Sequence, residues 1–176
     1  MMDSVTRLAT AQREVGLAVG EPPTTRGYTP SVFAALPQLL ERAGRTATGS
    51  ITAFYTVLVE GDDLNDPVAD AARSMLDGHI VLSRGIANAG RFPAVDVLQS
   101  ASRVATSVRS PDQIERANKV RSILATWESA RDLVEVGAYQ RGNDPAIDEA
   151  IERMPSIERF LVQPSSTIVP SEAADA

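Results

Sequence analysis

SITAFYTVLVE, Ser50–Glu60, is the most strand-like stretch of the sequence. β-Branched and aromatic residues crowd it, and it closes at the acidic turn GDDLNDP, Gly61–Pro67. A second strand is expected at HIVLSR, His79–Arg84, with the short helix VADAARSMLDG, Val68–Gly78, between the two. Strand, helix, strand in that order predicts a crossover unit in a mostly parallel sheet, with functional loops gathered at the carboxyl ends of the strands. The expected fold class is α/β.

Working outward toward the N-terminus, Val5, Leu8, Ala9, Gln12, Val15 and Val19 keep a helical spacing from Ser4 until Gly20 and the following EPP stop it. EPPTTRGYTPS, Glu21–Ser31, reads as a loop. VFAALPQLLERAG, Val32–Gly44, reads as a helix with Pro37 at a kink or first turn and Gly44 as its stop, and TATGS, Thr46–Ser50, as a hinge. After RFPAVDVLQSASRV, Arg91–Val104, good helix formers dominate. From Ser110, Ile114, Ala117, Val120, Ile123, Leu124, Trp127, Leu133 and Val136 predict one long helix or two abutting ones, with Trp127 in its core face. DPAIDEAIERMPSIERFLVQ, Asp144–Gln163, adds short helices broken near Pro155, and PSSTIVPSEAADA, Pro164–Ala176, is expected to be a disordered tail.

Composition excludes several chemistries. The 176 residues contain no cysteine and one histidine, His79, so thiol nucleophiles, zinc ribbons and multi-histidine metal sites are out. A formal net charge of -6 argues against a nucleic-acid partner, since such partners are held by clustered Lys and Arg. Apolar runs fall far short of the roughly 18–20 residues that span a bilayer, and the N-terminus lacks a signal-peptide pattern, so a soluble, cytoplasmic chain is expected.

Asp3 enters a helix from a short apolar run, the place where many nucleoside triphosphatases hold magnesium. Taken alone it is better read as the cap of the helix starting near Ser4. Four blocks change that balance: Met1–Gly44, Gly49–Asp70 (GSITAFYTVLVEGDDLNDPVAD), Leu76–Arg84 (LDGHIVLSR) and Phe92–Val104 (FPAVDVLQSASRV). In this order and spacing, from Met1 to about Gln163, the chain resembles the protein-export ATPases of flagellar and type III secretion systems, relatives of the catalytic subunit of the rotary ATP synthase.

The resemblance implies the second half of a RecA-like P-loop ATPase domain, Walker B onward, over residues 1–109, and a C-terminal helical module over 110–163. The pattern MDS.TR ends the family's Walker B strand, so Asp3 would be the magnesium-coordinating aspartate, acting through water. Arg103, in QSASRV, matches the arginine that the family projects into the neighbouring subunit's site. Such a guanidinium is always charged and bridges two phosphate oxygens. Taken singly, it would be a surface arginine paired with a carboxylate. Phe92 matches an aromatic position that packs on adenine, with core filling as the plain alternative, and Tyr139 is a second candidate for the same pocket. Arg7, Tyr28 and Asp66 match supporting or interface positions, each also explicable by packing or a helix-end ion pair. Asp62, Asp63 and Asp66 invite a metal site, but without calcium-loop spacing a hydrogen-bonded turn is the better reading. His79 is expected to be structural.

No G-x-x-x-x-G-K-[ST] phosphate loop occurs in the 176 residues. The sequence is therefore expected to be the C-terminal part of a longer ATPase, inactive by itself. The implied parent is a hexameric ring that hydrolyses ATP with Mg2+ to energise flagellar protein export. It would work with stalk, regulator and chaperone-substrate proteins, peripheral to the membrane at the export gate. A virulence-type secretion ATPase and a non-catalytic binding or assembly module are the alternatives.

Overall fold

The computed structural model describes residues 1–169. The chain forms two compact units, Met1–Asp77 and the residues from Gly78 onward.

The first unit packs three helices: α1 (Val5–Ala18), α2 (Pro30–Leu40) and α3 (Pro67–Met75). α2 starts two residues before the expected Val32, because Pro30 sits in its first turn, where a missing N–H costs nothing. Pro37 lies inside α2 and deprives the Phe33 carbonyl of its helical partner. Val5 and Ala9 of α1, Val32, Leu36 and Leu40 of α2, and Val68 and Ala72 of α3 form one buried cluster. The four-residue spacing along α2 puts its three on one stripe. Complete burial of Leu36 or Val32 is worth about 1.5–3 kcal/mol each. Gly16 of α1 lets α2's leading residue come close: a Cβ there would stand 2.4 Å from the Thr29 hydroxyl oxygen.

The expected strand over Ser50–Glu60 is only partly a strand. Ser50–Ile51 (β2) pairs antiparallel with Gly44–Arg45 (β1), so Gly44 belongs to a hairpin and α2 ends earlier, at Leu40. Further on, Tyr55 bridges to Met2 in parallel. Met2 donates to the Phe54 carbonyl at 2.9 Å, Thr56 to Met2 at 3.1 Å, and Val5 to Thr56 at 2.9 Å. Tyr55 and Val57 turn inward onto the helix cluster, while Phe54 and Leu58 remain 65% and 53% exposed. The alternation is that of a strand, but among the described residues its ladder partner is only Met1–Val5.

In the second unit, β3 (Gly78–Leu82) is followed by α4 (Arg84–Asn88) and then β4 (Val95–Ser102). β3 and β4 pair antiparallel, in place of the parallel crossover expected for the second strand. The α/β class holds, but both two-stranded sheets are antiparallel. β4 itself was not anticipated from the sequence. After α5 (Ala105–Val108), α6 (Pro111–Glu135) is one continuous helix opened by a capping box between Ser110 and Gln113. α7 (Pro145–Leu161) is also continuous and carries Pro155 inside it, against the expected break. Ala150, Met154 and Ile157, spaced on one face around Pro155, pack with Ile123 and Leu124 of α6, and that burial holds the helix through the missing hydrogen bond. Trp127, Val97 and Leu98 pack against the same cluster. The expected tail lies outside the described residues from position 170 on.

Candidate functional site

The first unit delivers Asp3 at the end of the short stretch paired in parallel with Tyr55. The helix cap that Asp3 alone would suggest belongs to its neighbour: the Ser4 hydroxyl accepts from the Arg7 amide at 3.3 Å, and Ser4 is 2% exposed. Asp3 stays exposed, and one carboxylate oxygen accepts a 2.7 Å hydrogen bond from the Thr56 hydroxyl. Thr6 locks the adjoining turn by donating to the Leu58 carbonyl at 3.1 Å and accepting from the Leu58 amide at 2.8 Å. Arg7 is exposed on the first turn of α1. Magnesium takes one or two carboxylates and fills its shell with water and phosphate oxygens. A single exposed carboxylate on a pinned strand end has the donor chemistry for that role.

The acidic turn is tied by an arginine absent from the expected site. Arg26, at φ 52°, forms ion pairs with Asp63 and, at 3.5 Å, with Asp66. Asp66 also caps α3, accepting from the Val68 amide at 2.9 Å and the Ala69 amide at 3.1 Å. The hydrogen bond from Arg26, then that from the Asn65 amide, holds the Asp63 carboxyl below its ordinary range. The Asp63 and Asp66 carboxylates are thus partners of a cation and of amides, a hydrogen-bonded turn as expected. Tyr28 is 7% exposed, edge-on to Phe33 with ring centroids 6.1 Å apart, and faced by the Arg13 guanidinium 5.7 Å from its centroid. Burial first, and then Asp66, raises its hydroxyl pKa.

In the second unit, the β3–β4 register slips between His79 and Val81, leaving Val97–Ser100 bulged. The polar groups of this bulge find partners outside the ladder. Arg121 of α6 donates to the carbonyls of Val97 at 2.6 Å, Leu98 at 3.0 Å and Ser100 at 3.2 Å. His79 Nε2 donates to the Gln99 carbonyl at 3.0 Å, the structural role expected of it. Asp96 Oδ1 accepts from the Leu98 and Gln99 amides, both at 3.0 Å. The Ser100 hydroxyl accepts from the Val81 amide at 2.9 Å and donates to the Asp96 carbonyl at 2.5 Å. Arg103 follows directly after β4 and is exposed.

Phe92 lies between α4 and β4 and is 56% exposed, so its ring is not core filling. Its carbonyl accepts from the Gln163 amide at 3.0 Å, fastening this loop to the segment after α7. Tyr139 is half-buried in the α6–α7 connection. Its hydroxyl lies 2.9 Å from the Asp144 carbonyl and 3.0 Å from the Asp148 carboxylate, and accepts from the Asp144 amide at 3.2 Å. Desolvation leads the causes that raise its pKa.

Thr56, Arg26 and Arg121 were missed by sequence reasoning. Arg121 carried a usable signal: it stands four residues after Ala117 and three before Leu124, a cation on the apolar stripe of a helix. Thr56 and Arg26 act across 53 and 37 residues of chain and left no local trace.

Residues 1–102 match the ATP synthase alpha/beta family, nucleotide-binding domain, and residues 109–174 match the T3SS EscN ATPase C-terminal domain. The chain is 60% identical over 163 residues to the flagellum-specific ATP synthase of Bacillus subtilis (strain 168), covering 93% of this chain and 37% of that protein. It is similar to the assembled ATPase EscN from the type III secretion system of enteropathogenic E. coli, with a TM-score of 0.95 and 48% identity over 98% of this chain and 42% of that one. It is also similar to EscN in complex with its central stalk EscO, with a TM-score of 0.87 and 46% identity, over 98% of this chain and 41% of that one. The chain therefore spans well under half the length of the curated relatives it matches, 37% in this case. No helix among the described residues is long and apolar enough to cross a membrane.

Proposed function

The chain belongs to the ATP synthase alpha/beta family, and from that premise we propose that it supplies the Walker B-to-C-terminal portion of a ring-forming ATPase that energises protein export through the flagellar type III apparatus. The observation that carries this reading is the division of labour at the start of α1. Ser4 takes the cap, so the exposed Asp3 carboxylate at the strand end is left for a ligand.

Asp3 would hold water ligands of Mg2+, and the bound ion would supply neutralising charge beside the phosphates of ATP. Thr56 fixes the orientation of that carboxylate. The exposed ring of Phe92 stacks on adenine, with Tyr139 lining the same pocket by its ring while its hydroxyl holds the α6–α7 connection. Arg103 reaches into the site of the neighbouring subunit and stabilises charge on the γ-phosphate as water attacks in line. The phosphate-loop lysine and the water-activating glutamate lie outside these 176 residues. Arg7, Tyr28 and Asp66 shape the first unit's side of the subunit interface, and Arg26 ties Asp66 into it.

The assembled EscN structure supports a homo-oligomeric ring, and the EscN–EscO complex supports a central stalk as partner. Six subunits, a regulator, chaperone-bound export substrates and peripheral attachment at the inner membrane complete the reading. A virulence-type secretion ATPase is the second reading, supported by the EscN likeness at 48% identity; the 60% identity to the flagellar relative supports the flagellar reading.

The test compares the 176-residue chain with a full-length relative in which this chain replaces the matching segment. The chain by itself is expected to show no magnesium-dependent ATP hydrolysis, and the graft to hydrolyse ATP. Robust turnover by the chain alone, or a folded graft without turnover, would overturn the proposal.

A further inference from the structure

The bulge in β4 sits three residues before Arg103, and its carbonyls are held by side chains, one from β3 and one from α6 outside the strand pair. Four consecutive carbonyls, from Val97 to Ser100, are held by two side chains: His79 takes Gln99, and Arg121 takes the other three. On the amide side, the Asp96 carboxylate accepts from Leu98 and Gln99. A planar guanidinium with fixed donor directions can satisfy several oxygens at once, whereas a lysine ammonium presents a compact charge on a flexible stem. Val97 and Leu98 are also packed against the buried cluster to which α6 contributes Ile123 and Leu124, just after Arg121. The helical module thus grips the stretch that delivers Arg103 by both apolar contact and charge-assisted hydrogen bonds.

We propose that Arg121 is a positioning residue for the ATPase reaction: by capping the Val97, Leu98 and Ser100 carbonyls it fixes the bulge, and so the exit direction of the chain that presents Arg103 to the neighbouring subunit. Bulges of this kind redirect the side chains beside them. A small misplacement of a catalytic group, imposed from outside the site, costs rate far more than binding. This inference rests on the role given above to Arg103. It adds a reason for α6 to stand beside β4 within the second unit, since α6 supplies the group that shapes the last strand before the arginine.

The experiment uses the graft described above, with Arg121→Lys, Arg121→Ala and Arg103→Ala measured side by side for kcat, KM for ATP and melting midpoint. Arg121→Lys retains the charge and the helix, and carries the test should the alanine variant fail to fold. The expected result is a kcat lowered about ten- to a hundredfold with KM unchanged, at temperatures well below the variant's melting midpoint. Parental kcat in folded Arg121→Lys, with Arg103→Ala inactive, would overturn the positioning role and leave the arginine-finger reading standing. Loss of kcat that tracks only the melting transition would also overturn it, by making Arg121 merely structural. Undiminished turnover in Arg103→Ala would instead remove the finger reading, and this inference with it.

Discussion

The Thr56 hydroxyl donates to the Asp3 carboxylate at 2.7 Å across 53 residues of chain, while the adjacent Ser4 alone caps α1. Two neighbouring residues thus have separable jobs. Ser4→Ala should lower the chain's stability by about 1 kcal/mol in urea unfolding, the usual cost of a lost cap. Asp3→Ala should leave the unfolding curve nearly unchanged and abolish magnesium-dependent turnover in the graft. Equal destabilisation by both variants would mean that Asp3 shares the capping role.

Gly16 faces Thr29 so closely that an added methyl would stand 2.4 Å from the hydroxyl oxygen and 3.0 Å from Cβ and Cγ2. Thr29 is fully buried and cannot swing into solvent. Gly16→Ala gains up to about 1 kcal/mol of helix propensity but incurs about 1–3 kcal/mol of overpacking. The expected net effect is destabilisation, read as a lower denaturation midpoint. A raised midpoint would show that α1 and α2 can part without cost.

Arg26 holds the Asp63 carboxyl below its ordinary range, so the sign of its pH dependence is fixed. The folded-state pKa lies below the unfolded one, so the pair's stabilising contribution is fully present above about pH 4. It is lost as the pH falls through the lower folded value. Both side chains are partly exposed, so the contribution is small and weakened by salt. Carboxyl titration by NMR should show the Asp63 midpoint rising toward the usual range in Arg26→Ala; an unmoved midpoint would contradict the pairing.

Tyr28 responds at the other end of the scale. Burial raises its hydroxyl pKa, so the protonated form is favoured in the folded chain and its contribution is complete below about pH 10. Stability should fall as pH rises above that, and Tyr28→Phe should flatten the alkaline limb of the melting-midpoint profile. An identical alkaline limb in the variant would rule out Tyr28 as its source.

Helices were the most legible elements, because α1, α2, α3 and α6 each bury a stripe that repeats at helical spacing. Ser50–Glu60 carried the right alternation, visible in inward Tyr55 and Val57 against outward Phe54 and Leu58. Its partner was not legible, since pairing with Met2 depends on residues far away in the chain. β4 went unnoticed because Asp96, Gln99, Ser100 and Ser102 dilute its apolar run, and the bulge over Val97–Ser100 breaks the period of two. Pro155 misled in the other direction: tertiary burial of Met154 and Ile157 outweighs the local penalty of a proline. The candidate site was legible only through family resemblance, which pointed to Asp3, Phe92 and Arg103. The groups that hold Asp3 and the stretch leading to Arg103, Thr56 and Arg121, needed the fold.

The most direct measurement on the central claim is ATP turnover and nucleotide affinity of the graft with Arg103→Ala, read by phosphate release and by titration with a fluorescent ATP analogue. Turnover should fall by about three orders of magnitude or more, with the dissociation constant for nucleotide essentially unchanged. Undiminished turnover, or a loss explained by weaker nucleotide binding, would contradict the account.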